Sequence, residues 1–291
     1  MGYQSVFQPG IFAGKTIIVT GAGSGIGRCI THELSSLGAC VVLIGRTRKN
    51  LDAVIAELAE DGLHDALAWS CDIRDEARVR EVVGDVVRQL GPIHGLVNNA
   101  GGQFPSALSD LSMKGFEAVV RNNLIGGFVF AREVFNQSMK ATGGAIVNIT
   151  CDCVNGFPSM GHTGAARAAM DNLTKTAAWE WGPYQVRVNA VAPGIIASSG
   201  FDTYDPAFQQ RFLQFANGVP LKRLGNEAEI SAAVCFLLGP AASYINGATL
   251  PVTGGGEFGM AMNVAPLPQE PVNRHAGFNG FHRSVKPRIL V

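Results

Sequence analysis

Two groups of residues have types and spacings that could do chemistry. The first is Thr20-Gly21-Ala22-Gly23-Ser24-Gly25-Ile26-Gly27, directly after the β-branched run Lys15 to Thr20. Gly21 permits a tight turn, Gly25 lets backbone approach a diphosphate, and Gly27 lets the next helix pack close to its strand. A helix opening at Ile26 offers free N–H groups and partial positive charge to phosphate. The alternative is a glycine-rich structural turn, but strand, loop, helix and second strand follow in the order a dinucleotide site requires. The second strand ends Leu43-Ile44-Gly45-Arg46-Thr47-Arg48 and carries no acid to accept from a ribose 2′-hydroxyl. Arg46 and Arg48 instead suit a 2′-phosphate, which an arginine can hold bidentately, and Ser24 can add a hydrogen bond. The expected coenzyme is therefore NADP(H); the alternative is that both arginines are solvated charges at a helix start.

The second group lies further along. Thr163, Arg167 and Asp171 are spaced by four, so they share one face of a helix. Asp171 either faces the cleft with them or, as is expected first of its spacing, forms an i,i+4 ion pair with Arg167 or Lys175. His162 opens that helix, where a cap or surface role competes with acid catalysis, and Asp152 lies on the preceding loop. Lys222 and Arg223 are candidate phosphate contacts or solvated charge. Trp179 and Trp181 read as oligomer or core packing.

Positioning these residues requires alternating elements. Strand-like runs are expected at 15–20, 39–44, 66–71, 95–98, 145–150, 186–191 and 248–252. Helical spacing occupies 26–37, 51–61, 76–90, 113–139, 163–181 and 227–238. Strands alternating with helices of this length imply an α/β, Rossmann-type doubly wound parallel sheet with helices on both faces. One domain is expected at 12–257, after a leader at 1–11 and before an aperiodic, Pro- and cation-bearing C-terminal tail at 258–291 draped over the surface or a neighbouring subunit. Residues 199–226 lack a clean period and suggest an inserted lobe.

Composition narrows the function. Of 291 residues, 47% are apolar and 16% charged, and 23 basic residues balance 23 acidic ones. That neutrality argues against nucleic-acid and membrane-surface partners and fits an oligomer. The six cysteines sit mostly singly in apolar stretches, and Cys151-Asp152-Cys153 has no histidine cluster beside it. No metal site is expected, and the cysteines read as reduced packing residues. No signal peptide is visible, Val6 spoils a myristoylation pattern at Gly2, and Ile289-Leu290-Val291 is not a peroxisomal address. The longest apolar stretch, Ile230 to Ala242, falls short of the roughly 20 residues a membrane span needs. A cytoplasmic location is expected.

The glycine pattern, Cys71-Asp72-Ile73, Asn98-Asn99-Ala100-Gly101, Asn123, Pro193-Gly194 and Thr253-Gly254-Gly255 together resemble the short-chain dehydrogenase/reductase superfamily over residues 12–257. The resemblance implies that Asp72 and Ile73 flank the adenine and that Asn98, Ala100 and Gly101 lie along the coenzyme. It places Ile196 and Ser198, after Pro193-Gly194, at the nicotinamide amide. The superfamily's Asn, Ser, Tyr and Lys fall on Asn123, Thr150, Thr163 and Arg167, so only Asn123 is retained. A threonine cannot release a proton near neutral pH as a lysine-assisted tyrosine can, and an arginine keeps its proton throughout. Arg167 can still hold the nicotinamide ribose and supply positive charge.

Gln103-Phe104, Gly156-Phe157-Pro158, His162 to Arg167 and Asn172 to Lys175 resemble the peroxisomal trans-2-enoyl-CoA reductases and, more distantly, the 2,4-dienoyl-CoA reductases. That resemblance implies reduction of a C=C bond in an acyl-CoA thioester and a homotetramer. Charge would then build on the thioester oxygen, where Thr150, Thr163 and Arg167 can donate. The enzymatic alternative is an NADP-dependent alcohol or aldehyde dehydrogenase on terpenoid-like or other apolar substrates. A third reading is an NADP(H)-binding subunit without turnover.

Overall fold

The computed structural model describes residues 2–204, 214, 216–256, 270–273, 275 and 277–290. Seven parallel strands run in the order β3-β2-β1-β4-β5-β6-β9. They are β1 Thr16–Thr20, β2 Cys40–Gly45, β3 Ala66–Ser70, β4 Gly95–Asn98, β5 Gly144–Ile149, β6 Val186–Pro193 and β9 Thr249–Val252. Every residue of β1 and β4 is buried, as strands covered on both faces must be. The order reverses between β1 and β4, so their C-terminal ends leave a crevice where dinucleotide folds bind ligand. This is the doubly wound sheet expected from the alternation.

Helices α1 Gly25–Ser36, α2 Arg48–Glu60, α3 Glu76–Leu90, α7 Gly161–Trp181 and α8 Glu227–Leu238 cover the sheet. One apolar cluster joins α1, α2 and α8 to one face, through Ile30, Leu34, Val54 and Val234. Another packs α3 and its neighbours on the other, around Val82, Val86, Phe130 and Ile146. The apolar stretch from 113 is continuous: α4 Met113–Val120, a π-helical turn Arg121–Ile125, α5 Gly126–Val134, a second π turn Phe135–Met139 and a last turn α6 Lys140–Thr142. Hydrophobic spacing gave no sign of those π turns. Such widened turns often lie at functional sites.

At the two ends of the segment read as an inserted lobe, a short parallel pair, β7 Ile196–Ala197 just before it and β8 Gly225–Asn226 at its close, joins the chain. Residues 205–213 and 215 of that lobe lie outside the described residues, as do 257–269 of the tail. Its end returns to the body. Phe281 is 2% exposed and packs with Tyr3, Cys29 and Ala228, so leader and tail meet on α1 and α8. The Gln4 N–H donates to the Gly280 carbonyl (2.9 Å), and Arg28 lies over the Phe281 ring. Behind it, His32 is fully buried and donates from Nε2 to Glu57 (3.0 Å). Glu57 and Asp61 favour its charged form, but burial wins and pushes the imidazole down to about 4. Asp61 meets His282 and Arg283 of the tail, each at 3.0 Å.

Candidate active site

At the end of β1 the chain turns through Gly21, whose φ of +67° is strained for any other residue. A Cβ on Gly27 would collide with the Gly21 carbonyl oxygen and the Asn99 amide, so glycine there lets α1 start against the strand. The N-cap Ser24 makes no side-chain cap bond and the first turn holds no acid, leaving the N–H groups for an anion. A cleft of about 260 Å³ opens here, lined in part by Gly21, Ser24, Arg46, Asp72, Ile73 and Asn99. The Thr20 hydroxyl accepts from the Asn99 and Ala100 N–H groups, both at 3.0 Å, tying the 99–101 loop to the glycine turn. Together these features fit a dinucleotide.

The remaining coenzyme candidates separate. Arg46 is exposed at the cleft edge, whereas Arg48 pairs with Asp52 (2.8 Å), donates to the Ala68 carbonyl and does not line the cleft. The Arg74 guanidinium, 2.5 Å away, holds the Asp72 carboxyl down to about 2. Asn98 turns into the core, donating to the Gly127 carbonyl (3.1 Å) and to Asn148 (2.9 Å), which donates to Thr174. It is Asn99 that faces the cleft. Pro193 and Gly194 end β6, where a Cβ on Gly194 would meet Thr253 Cα at 2.8 Å. Ile196 is buried in β7, and Ser198 precedes a 3₁₀ turn, Ser199–Thr203.

Next to the cleft, the π turn presents Asn123, whose amide donates to the Gly102 carbonyl (2.8 Å) and accepts from its N–H (3.0 Å). Asn123 thus fixes the 101–102 backbone. A Cβ on Gly101 would collide with Asn123 Oδ1 and the Arg167 guanidinium, so the close approach needs glycine. Arg167 donates to the Ile149 carbonyl at 2.5 Å. Burial lowers its pKa from the ordinary arginine value, while nearby Asp171 and the Cys151 and Cys153 sulfurs oppose that shift. Thr163 is fully buried on the same helix, and Thr150, 3% exposed, lies at the end of β5 and donates to the Val191 carbonyl (3.4 Å).

Asp171 takes a different partner from the ion pair expected of its spacing. It accepts from the Thr249 hydroxyl (3.0 Å), and no ion pair within 4 Å joins it to Arg167 or Lys175. Burial raises its carboxyl. His162 is fully buried, accepts at Nδ1 from the Thr163 N–H (2.9 Å), and meets the Phe104 ring edge to face. Its Nε2 has no partner among the described residues. Asp152 donates its N–H to the Pro193 carbonyl. Lys222 donates to the Asn217 carbonyl and Arg223 pairs with Glu229 (2.6 Å). Trp181 stacks on Phe135, whereas Trp179 is 86% exposed.

Tyr204 and Glu227, both near the site, escaped sequence reasoning. Gln103 donates to the Tyr204 hydroxyl (2.9 Å), joining the 99–112 loop to the lobe. Burial pushes the Tyr204 phenol up. Asn99 was readable only as part of its motif, and Glu227, against Gly25, carried no motif at all. All six cysteines are free thiols. Among the described residues, no His, Cys, Asp and Glu side chains gather as metal ligands, and no helix is long and apolar enough to cross a membrane.

Residues 21–257 match the family model described as Enoyl-(Acyl carrier protein) reductase. The chain is 34% identical over 256 residues to the peroxisomal 2,4-dienoyl-CoA reductase [(3E)-enoyl-CoA-producing] of Mus musculus, covering 87% of each. It is also 34% identical over 245 residues to the 7alpha-hydroxysteroid dehydrogenase of Escherichia coli, covering 84% of this chain and 94% of the other. Among solved structures, the citronellol catabolism dehydrogenase AtuB of Pseudomonas aeruginosa superposes with a TM-score of 0.79 at 52% identity, covering 88% of this chain and all of that one. The fold, the glycine turn and these matches make the chain a member of the short-chain dehydrogenase/reductase family of oxidoreductases.

Proposed function

We propose that the protein is an NADPH-dependent reductase of the C=C bond of trans-2-enoyl-CoA-type thioesters. The observation that carries this reading is that α7 holds a fully buried Thr163 and, one turn on, an Arg167 anchored on the Ile149 carbonyl. The site holds donors where the resemblance places a proton-relaying tyrosine and lysine. When bound, the nicotinamide coenzyme supplies a hydride. Arg46 at the cleft edge supports a 2′-phosphate, and Gly21 to Gly27 with the α1 N-terminus support the diphosphate.

Within the site, Arg167 supplies fixed positive charge near a carbonyl oxygen as negative charge develops there, with Thr150 and Thr163 as hydroxyl donors. Asn123 holds the Gly101-Gly102 backbone against Arg167 and positions rather than reacts. Addition to a C=C bond conjugated to a thioester asks for such donors and leaves the α-carbon to take its proton from another acid or water. The names of the dienoyl-CoA reductase relatives support the acyl-CoA class. A homotetramer agrees with the exposed Trp179 and Phe128, apolar surface suited to burial between subunits.

The 52% identity to AtuB favours a second reading, oxidation or reduction of an acyclic terpenoid-like alcohol or aldehyde. Steady-state NADPH oxidation with a trans-2-enoyl-CoA, a 3-ketoacyl-CoA and citronellal separates the two. The first reading expects the enoyl-CoA to turn over fastest. Faster turnover of citronellal selects the second, and faster turnover of the ketone contradicts the first.

A further inference from the structure

A buried carboxylate stands beside the phosphate-binding turn. Glu227, the first residue of α8, is 3% exposed. Because α8 packs along α1, its Oε1 lies 3.8 Å from the position a Cβ on Gly25 would take. Gly25, at φ +54°, is the first residue of α1, whose uncapped N–H groups suit a diphosphate.

The surroundings do not neutralise Glu227. Its carboxylate makes no hydrogen bond or ion pair among the described residues. Arg28, the cation that acts on it, is bonded to Glu57 at 2.8 Å. Cys29, the other titratable group against it from α1, is fully buried and pushed up, so it stays neutral. On α8 itself, Glu229 points into a capping box with Asn226 and pairs with Arg223. Two anions brought close together disfavour each other's charged form.

We propose that Glu227 couples a proton to coenzyme binding: the diphosphate binds the form in which Glu227 is protonated, and binding draws a proton onto its carboxyl. This rests on the dinucleotide reading of the cleft. Burial raises the free carboxyl to about 7. Below that pH the residue is already neutral and affinity is flat. Above it, binding takes up a proton, and the dissociation constant rises by up to about tenfold per pH unit until the bound carboxyl also ionises.

The test is isothermal titration of the full-length protein with NADPH and with NADH from about pH 6 to pH 9, in two buffers of different ionisation enthalpy. NADH is included because it lacks the 2′-phosphate, which carries its own proton. Wild type should lose affinity for both coenzymes above about pH 7 and take up as much as one proton, while Glu227→Gln should show a flat profile and bind roughly tenfold tighter at the alkaline end. Glu227→Ala gives the same comparison if the glutamine variant does not fold. Parallel pH profiles in wild type and either variant overturn the proposal. Failure of wild type to bind either coenzyme at any pH overturns the dinucleotide reading itself, a different result from binding without the proton.

Discussion

The Arg167 guanidinium is anchored 2.5 Å from the Ile149 carbonyl, across from the Gly101 backbone, and not on Asp171 one helical turn away. A helix-stabilising ion pair would have left the arginine facing along α7. Its anchoring at the end of β5 sets it against Gly101, which lines the cleft, and on the proposed reading its charge serves the site.

Arg167→Ala is therefore expected to lower kcat on the order of 100-fold, the typical effect of removing one preorganised donor, and to weaken NADPH binding only modestly. Arg167→Lys should recover part of the loss, since charge returns without the planar fork. Single-turnover rates and coenzyme affinities of the folded variants check this. A lower melting temperature with unchanged turnover per folded molecule would assign Arg167 a structural role.

Arg46 is the cation at the cleft edge, because Arg48 is held by Asp52 and the Ala68 carbonyl. Arg46→Ala should cost about 1.5–3 kcal/mol of NADPH affinity, as for a charge-assisted hydrogen bond, and leave NADH unaffected. Arg48→Ala should change neither. Fluorescence titration with both coenzymes checks this, and equal affinities of wild type for NADPH and NADH contradict the NADP(H) reading.

How much of this was legible in the sequence depended on the kind of signal. Lys15 to Thr20 and the glycines after it announce a buried strand and a phosphate turn because burial and positive φ restrict residue type. Asp171 was misassigned because i,i+4 spacing says only that two side chains share a helix face. The Thr249 hydroxyl that takes Asp171 comes from a strand 78 residues away. The π turn at Asn123 and the approach of Glu227 to Gly25 were illegible for the same reason: each is set by how helices pack on the sheet. The leader and tail carried no period, yet Tyr3 and Phe281 share one apolar pocket.

His32 is expected to make the body of the fold sensitive to acid. Its pKa is lowered from 6.5 to about 4, so its contribution is complete above 6.5 and is lost as pH falls through 4. By linkage the loss approaches roughly 3 kcal/mol. Urea unfolding between those pH values should show it, and His32→Gln, which keeps a donor toward Glu57, should flatten the acid limb. An equally steep fall in the variant would place the sensitivity elsewhere.

The carbon that receives the hydride distinguishes enoyl reduction from carbonyl reduction. NADPH deuterated at the transferred C4 position, incubated with a trans-2-enoyl-CoA and analysed by mass spectrometry and NMR of the product, reads that directly. The expected product is a saturated acyl-CoA with one deuterium at Cβ and a solvent-derived hydrogen at Cα, lost in Arg167→Ala. Unreacted enoyl-CoA, with deuterium appearing instead on the carbinol carbon when a ketone or aldehyde is supplied, would contradict it.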